Sequence, residues 1–142
     1  MRTLLLIRHA KAVDREQWSG PDADRPLAAA GIRQAHRLAG QLADAGINRV
    51  LSSPAVRCVQ TVKPLADGLE LPVEIDPSLM EGEAIVLPKW RGVLALCAHG
   101  DNIPALLREL GLDDHPCRKG SVWEVAWDSS GRKPGAARYR EM

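Results

Sequence analysis

The sequence has 142 residues, close to the roughly 150 of a typical domain, so one domain spanning 1–142 is the expectation. With 45% hydrophobic and 26% charged residues, its composition is that of an ordinary globular chain, which argues against wholesale disorder. Nineteen Lys and Arg against 18 Asp and Glu leave a net charge of +1, and aromatic residues are 4% with Phe absent, so nucleic acid is not an expected partner.

Leu4-Leu5-Leu6-Ile7, ended by Arg8, is a short continuous apolar run of the kind found in strands buried on both faces of a parallel sheet. At four residues it is shorter than the about 7–15 of an export signal, and no stretch reaches the ~18 of a spanning helix. Neither secretion nor a membrane partner is expected. Val13 to Leu27 carries Gly20, Pro21, Pro26 and several acidic residues, the composition of a long exposed loop. A helix follows over about Ala28 to Ala45, with Ile32, Ala35, Ala39 and Leu42 at helical spacing and Gly46 as its stop. No Ser, Thr, Asn or Asp stands at its N-cap.

Arg49 to Ser52 is a second strand, and Ser53-Pro54 opens a second helix, with the proline in its first turn, that runs to about Gly68. Val73 to Ile75 and Val93 to Cys97 are the third and fourth strands. The 17 residues between them (76–92) leave room for little more than a turn or two of helix. Ile103 to Leu110 forms a third helix, ended by Gly111. Ser121 to Trp127 alternates as a strand, with Ser121, Trp123, Val125 and Trp127 opposite Val122, Glu124 and Ala126. From Asp128 a turn leads into a loose terminal strand or tail. Strands alternating with helices predict an α/β fold, three-layer α/β/α with a mostly parallel central sheet.

In such sheets, sites form at the carboxyl ends of the strands. Four of these places carry unusual polarity: Arg8-His9, Ser52-Ser53 leading to Arg57, Glu81 after the third strand, and His99-Gly100. Brought to one crevice, two guanidiniums, two imidazoles and a carboxylate make an anion site that contains a nucleophile. Planar guanidinium donors match phosphate oxygens, and a neutral imidazole offers a lone pair near physiological pH. Cys58, Cys97 and Cys117, odd in number and scattered, read as reduced thiols of a cytoplasmic protein. A cysteine phosphatase is excluded, because it needs Arg six residues after Cys and those positions hold Pro64, Ile103 and Trp123. Cys97 with His99 is too small a set for a zinc site.

Leu6-Ile7-Arg8-His9-Ala10 resembles the signature of the histidine phosphatase superfamily (phosphoglycerate-mutase-like), usually Arg-His-Gly after the first strand. Ser52-Ser53-Pro54-Ala55-Val56-Arg57-Cys58-Val59-Gln60-Thr61 resembles its second-arginine motif, and Ala98-His99-Gly100 its second-histidine motif. Arg25-Pro26-Leu27, with Gly31 and Gln34-Ala35, resembles its segment entering the first helix. Within the superfamily, the short length and Arg25-Pro26-Leu27 are similar to SixA-type phosphohistidine phosphatases. Arg118-Lys119-Gly120-Ser121-Val122-Trp123 is similar to the histidine-phosphatase half of actinobacterial MutT-type nudix hydrolases.

The resemblance implies that His9 is the nucleophile that becomes phosphorylated, and that Arg8, Arg57 and His99 line the phosphate pocket. It implies a phosphatase that needs no metal and no cofactor, acting on protein phosphohistidine. A small phosphomonoester or nucleotide is the alternative substrate, and a phosphate-binding regulatory module without turnover the alternative of another class. A mutase is disfavoured, because the segment after the third strand is too short for a substrate-retaining cap. Two departures stand out. Ala10 replaces the usual Gly, and the general acid is unsettled between Glu81 and a pathway without one. An alcohol leaving group needs a proton donor, whereas an imidazole leaves neutral with a conjugate pKa of about 6.5. Glu81 therefore reports on substrate class, with Glu83 close behind it.

The remaining polar residues have plainer readings. Lys119 and Ser121, in a turn before a strand, are more often structural than substrate-binding. His36, between Arg33 and Arg37, reads as a solvated face, and His115, in an Asp-rich loop, as inert. Cys58 and Cys97 read as buried small hydrophobes, and Trp123 and Trp127 as core. Trp18, in the loop beside the crevice mouth, is the tryptophan placed to meet a ligand.

Overall fold

The apolar run at the N-terminus puts Leu4 and Leu6 on one face of a central strand and Leu5 and Ile7 on the other, all of them buried. The computed structural model describes residues 1–128 and 131–142 and builds a six-stranded sheet around that strand. Its strands are β1 (Arg2–Arg8), β2 (Ile47–Ser52), β3 (Val73–Ile75), β4 (Gly92–Ala98), β5 (Val122–Trp127) and β6 (Ala136–Arg140), in the order β3-β2-β4-β1-β5-β6. The four strands β3, β2, β4 and β1 are parallel; β5 runs antiparallel to β1, and β6 to β5.

Helices α1 (Ala29–Leu42) and α2 (Val56–Gly68) cover one face. Leu38 and Leu42 of α1 and Val62 and Leu65 of α2 pack there with Leu5, Ile7, Val50 and Ala95. Helix α3 (Asn102–Glu109) covers the other, where Ile103, Leu106 and Leu107 join Leu4, Leu6, Leu94, Leu96, Trp123 and Trp127. The three-layer arrangement is the one expected from the pattern. The segment after β3 holds a single 3-10 turn, Pro77–Leu79. Among the described residues, no helix is long and apolar enough to cross a membrane.

Three local expectations are corrected or refined. The buried stripe of α1 is Gly31, Ala35, Leu38 and Leu42; Ala35 and Leu42 are as expected, but Gly31 and Leu38 take the places of Ile32 and Ala39, and Ile32 faces outward at 46% exposure. Helix α2 begins at Val56 rather than at Pro54. The chain extends the sheet ladder one residue past β2 through Ser53 N to Cys97 O (3.0 Å), and Ala55 stays extended as the N-cap. Pro64 is the proline inside that helix. Residues 13–27 are mostly exposed, as expected, but ordered: two 3-10 turns (Arg15–Gln17, Asp22–Asp24), an Ala12–Leu27 bridge and bonds to Gln60 and Arg57 of α2 hold them, burying Arg25 and Leu27. The turn expected from Asp128 runs into residues 129–130, outside the described residues; beyond it β6 pairs with β5.

Candidate active site

Parallel pairing of β1 with β4, Arg8 opposite Ala98, brings the two histidine-bearing strand ends side by side. His9 N donates to Ala98 O at 3.1 Å, and the rings of His9 and His99 lie edge to face with centroids 5.4 Å apart. Helix α2 closes the third side. Its Thr61 Oγ1 accepts the Ala10 N–H at 3.0 Å and donates to Arg57 O at 2.7 Å, tying the residue after His9 to Arg57. One residue earlier, Gln60 Oε1 accepts the Leu27 N–H at 2.7 Å and holds the folded-back loop. Ala10 adopts no left-handed backbone, and its methyl is buried with Leu27 and Ala35, so it replaces glycine without strain.

His9 is 5% exposed, and its Nδ1 lies 2.8 Å from Ala10 O. A carbonyl oxygen only accepts, so Nδ1 carries the proton and Nε2 the lone pair. Burial pushes the imidazole pKa down to about 3 against the partial support of the Ala10 carbonyl, and the charges of His99, Arg57 and Arg8 push the same way. The ring is therefore neutral across the physiological range, with the Nε2 lone pair free.

Around it, three buried nitrogens have no hydrogen-bond partner: Arg8 Nε, Arg57 Nε and His99 Nδ1. Each belongs to a predicted site residue on a different element. The rest of each side chain is anchored. Arg8 Nη1 donates to Cys117 O at 2.8 Å, and His99 Nε2 meets Ser53 Oγ at 2.9 Å and Cys58 Sγ at 3.5 Å. Arg57, wholly buried, donates through Nη1 to Asp22 O (2.9 Å) and through Nη2 to Asp22 Oδ2 (3.2 Å). The two guanidinium Nε–H groups are buried donors without partners, which is costly, and their natural complement is an oxyanion with several acceptor oxygens. Gly100 makes room for this arrangement, since a Cβ there would stand 2.6 Å from Arg8 Cζ.

Residues 4–92 match the family model for the histidine phosphatase superfamily, branch 1. The chain belongs to that superfamily. It is 30% identical over 152 aligned residues to an 8-oxo-(d)GTP phosphatase of Mycolicibacterium smegmatis, covering 95% of this chain and 47% of that protein. The matched segments span only 47% and 38% of the first two of these curated relatives. Among solved structures, the protein histidine phosphatase SixA in complex with tungstate superposes with a TM-score of 0.72 at 24% identity, covering 97% of this chain and 94% of the other. A protein assigned as phosphohistidine phosphatase SixA from Agrobacterium tumefaciens gives the same TM-score at 22% identity, over 87% and 90% of the two chains.

In this superfamily member, the open cleft at His9 measures about 330 Å³ and is lined by Arg8, His9, Ala12, Asp14, Arg15, Arg25, Glu81 and Lys119. Glu81 thus faces the site, 3.2 Å from Arg15 and 3.6 Å from Arg57. Glu83 is exposed and outside it. Arg57 and His99 sit deeper, behind the lining. Trp18 bonds Pro21 O within its own loop, and Ser121 is buried with its carbonyl accepting from Arg8 N, so neither lines the cleft. Lys119 does.

Sequence reading passed over Asp22 and Arg15. The Asp22 carboxylate lies 3.0 Å from Arg25, 3.2 Å from Arg57 and 3.8 Å from Arg15. Its slight burial acts against ionisation, but the Arg25 hydrogen bond and the three guanidinium charges hold its carboxyl below the usual range. The only local signal was Asp22 three residues before Arg25, and the contact with Arg57 spans 35 residues.

Proposed function

We propose that the protein is a phosphatase that takes a phosphoryl group onto His9 Nε2 and passes it to water, with protein phosphohistidine as substrate. In the first step, Nε2 forms a bond to phosphorus while the bond from phosphorus to the leaving group breaks. In the second, a water oxygen bonds phosphorus, the P–Nε2 bond breaks, and orthophosphate leaves. Arg8, Arg57 and His99 supply fixed donors to the equatorial oxygens, where the charge of the transferring group is spread. The Ala10 carbonyl stabilises the Nδ1 proton as positive charge grows on the ring. Neither a metal nor a cofactor enters the scheme.

The observation that carries this reading is the set of three partnerless buried nitrogens around an imidazole whose tautomer leaves Nε2 free. One observation favours a phosphoester substrate as the second reading: Glu81 lines the cleft beside His9, where a proton donor to an alcohol would stand. The two are separated by assay. Aryl phosphate hydrolysis in the presence of a chelator is expected, and His9→Ala should lower it by roughly 10³-fold or more. Glu81→Gln should retain phosphohistidine hydrolysis and lose alkyl-ester hydrolysis; equal loss on both would remove the leaving-group argument. Metal dependence, or activity surviving in His9→Ala, would overturn the mechanism. The free thiols of Cys58 and Cys97, buried against each other, support a reducing, cytoplasmic setting.

A further inference from the structure

Lys119 differs from the other cations in and behind the cleft. Arg15, Arg25 and Arg57 are each paired with Asp22, and Arg15 and Arg57 also meet Glu81. Arg8 is anchored to the Cys117 carbonyl. Lys119 lines the same cleft, is exposed, and pairs with no carboxylate among the described residues.

Its backbone is nonetheless fixed against the nucleophile. The Gly120 N–H donates to both Arg8 O and His9 O, at 3.1 Å each, in a left-handed turn (φ +79°) that glycine adopts freely. Gln34 pins the turn from the other side: its Nε2 donates to Lys119 O at 3.5 Å while its Oε1 accepts the Lys11 N–H at 2.9 Å. The ammonium is thus a mobile point charge on a rigid base, one residue from a turn bonded to the His9 main chain. The cleft, at about 330 Å³, is roughly ten times a water's ~30 Å³ share, more than one phosphoryl group fills.

We propose that Lys119 binds a second anionic group of the substrate, a phosphate or carboxylate carried next to the phosphoryl group that His9 takes. The proposal rests on the reading of this cleft as a phosphoryl-transfer site, and it leaves open whether the leaving atom is oxygen or nitrogen. Phosphorylated compounds with a second nearby anion would then be preferred over those with one.

Binding tests this without turnover. In a His9→Ala background, calorimetry would compare phenyl phosphate with phenyl diphosphate and 3-carboxyphenyl phosphate. Adding Lys119→Ala should lower the preference for the two-anion ligands over phenyl phosphate by about tenfold, the scale of one charge-assisted contact. Lys119→Arg should keep most of that preference, which a merely structural role for the lysine would not explain. Loss confined to the diphosphate assigns a phosphate, and loss confined to the carboxylate compound assigns a carboxylate. A preference equal with and without the Lys119 ammonium, for both ligands, overturns the proposal. Hydrolysis of phenyl phosphate by the unmodified protein tests the catalytic reading separately. Its absence alongside the binding discrimination would remove the catalysis and leave the subsite standing.

Discussion

The floor and the rim of the cleft are positioned by different forces. Arg8, His9 and His99 stand at the ends of β1 and β4, where main-chain bonds on both sides of β1 fix the register. The rim, made of residues 13–27 and the turn at 118–121, combines a few main-chain bonds, such as Gly120 N to Arg8 O and His9 O and Val13 N to Pro26 O, with single side-chain ties. Gln60 bonds Leu27, Asp22 bonds Arg57, Arg25 bonds Val13 O (2.7 Å) and Gln34 bonds Lys119. Ladder bonds are many and mutually supporting, whereas each rim tie is a single contact near solvent. Substitutions in the floor should therefore cost chemistry, and substitutions in the rim should cost affinity or local stability.

The largest effect that separates the two is expected at Gly100. An alanine methyl there would stand 2.6 Å from Arg8 Cζ and 2.9 Å from Nε, displacing a guanidinium without touching the backbone. Because the clash is with the far end of a side chain, stability should change little. A displacement of about 1 Å in a reacting site can cost ~10²-fold. Gly100→Ala is expected to lower kcat/KM on an aryl phosphate by that factor with a nearly unchanged melting temperature. A large loss of stability with normal specific activity would show that the floor is less rigid than the ladder suggests.

A rim tie should give a smaller and different signature. Asp22→Asn keeps the shape and the main-chain carbonyl that Arg57 uses, but withdraws negative charge from three guanidiniums. Breaking a fully buried pair costs about 3–5 kcal/mol; the Asp22 side chain is 44% exposed, so a loss of about 1–2 kcal/mol is expected. Orthophosphate should recover more stability in the variant than in the parent, since an added anion takes over a role that the carboxylate fills in the parent. Equal denaturation midpoints for the two proteins would mean that Glu81 alone neutralises Arg57.

This contrast also explains what could be read from the sequence. Leu4 to Ile7 and Val93 to Cys97 are apolar because the strands are buried on both faces, so their ends, and with them His9 and His99, were legible from a local pattern. Arg57 was legible because it follows a strand end and opens a helix. Asp22 was not: its meaning comes from a loop folding back over 35 residues, and the same composition is equally compatible with a solvated loop. Lys119 was readable as a turn residue, with substrate contact only the lesser reading, because it is the bonds from Gly120 to Arg8 and His9 that bring that turn to the cleft. The start of α2 was misplaced for a related reason, since the ladder bond of Ser53 to Cys97 O overrides the preference of proline for a first helical turn.

The smallest effect is one of flatness. A histidine titrating at its ordinary value would lose its lone pair below about pH 6.5 and give the rate an acid limb there. Burial holds His9 neutral down to about pH 3, so kcat/KM, corrected for ionisation of the substrate phosphate, should show no limb from the nucleophile between pH 7 and 5. The stability counterpart has a definite sign. Between about pH 6.5 and 3 the unfolded chain binds a proton at this position and the folded chain does not, so His9 makes stability fall as pH falls through that window and contributes no such loss above it. His9→Ala should flatten that part of the stability profile. If the slope survives the substitution, it belongs to another group, and burial is not what keeps His9 neutral, since the Ala10 hydrogen bond favours the protonated ring.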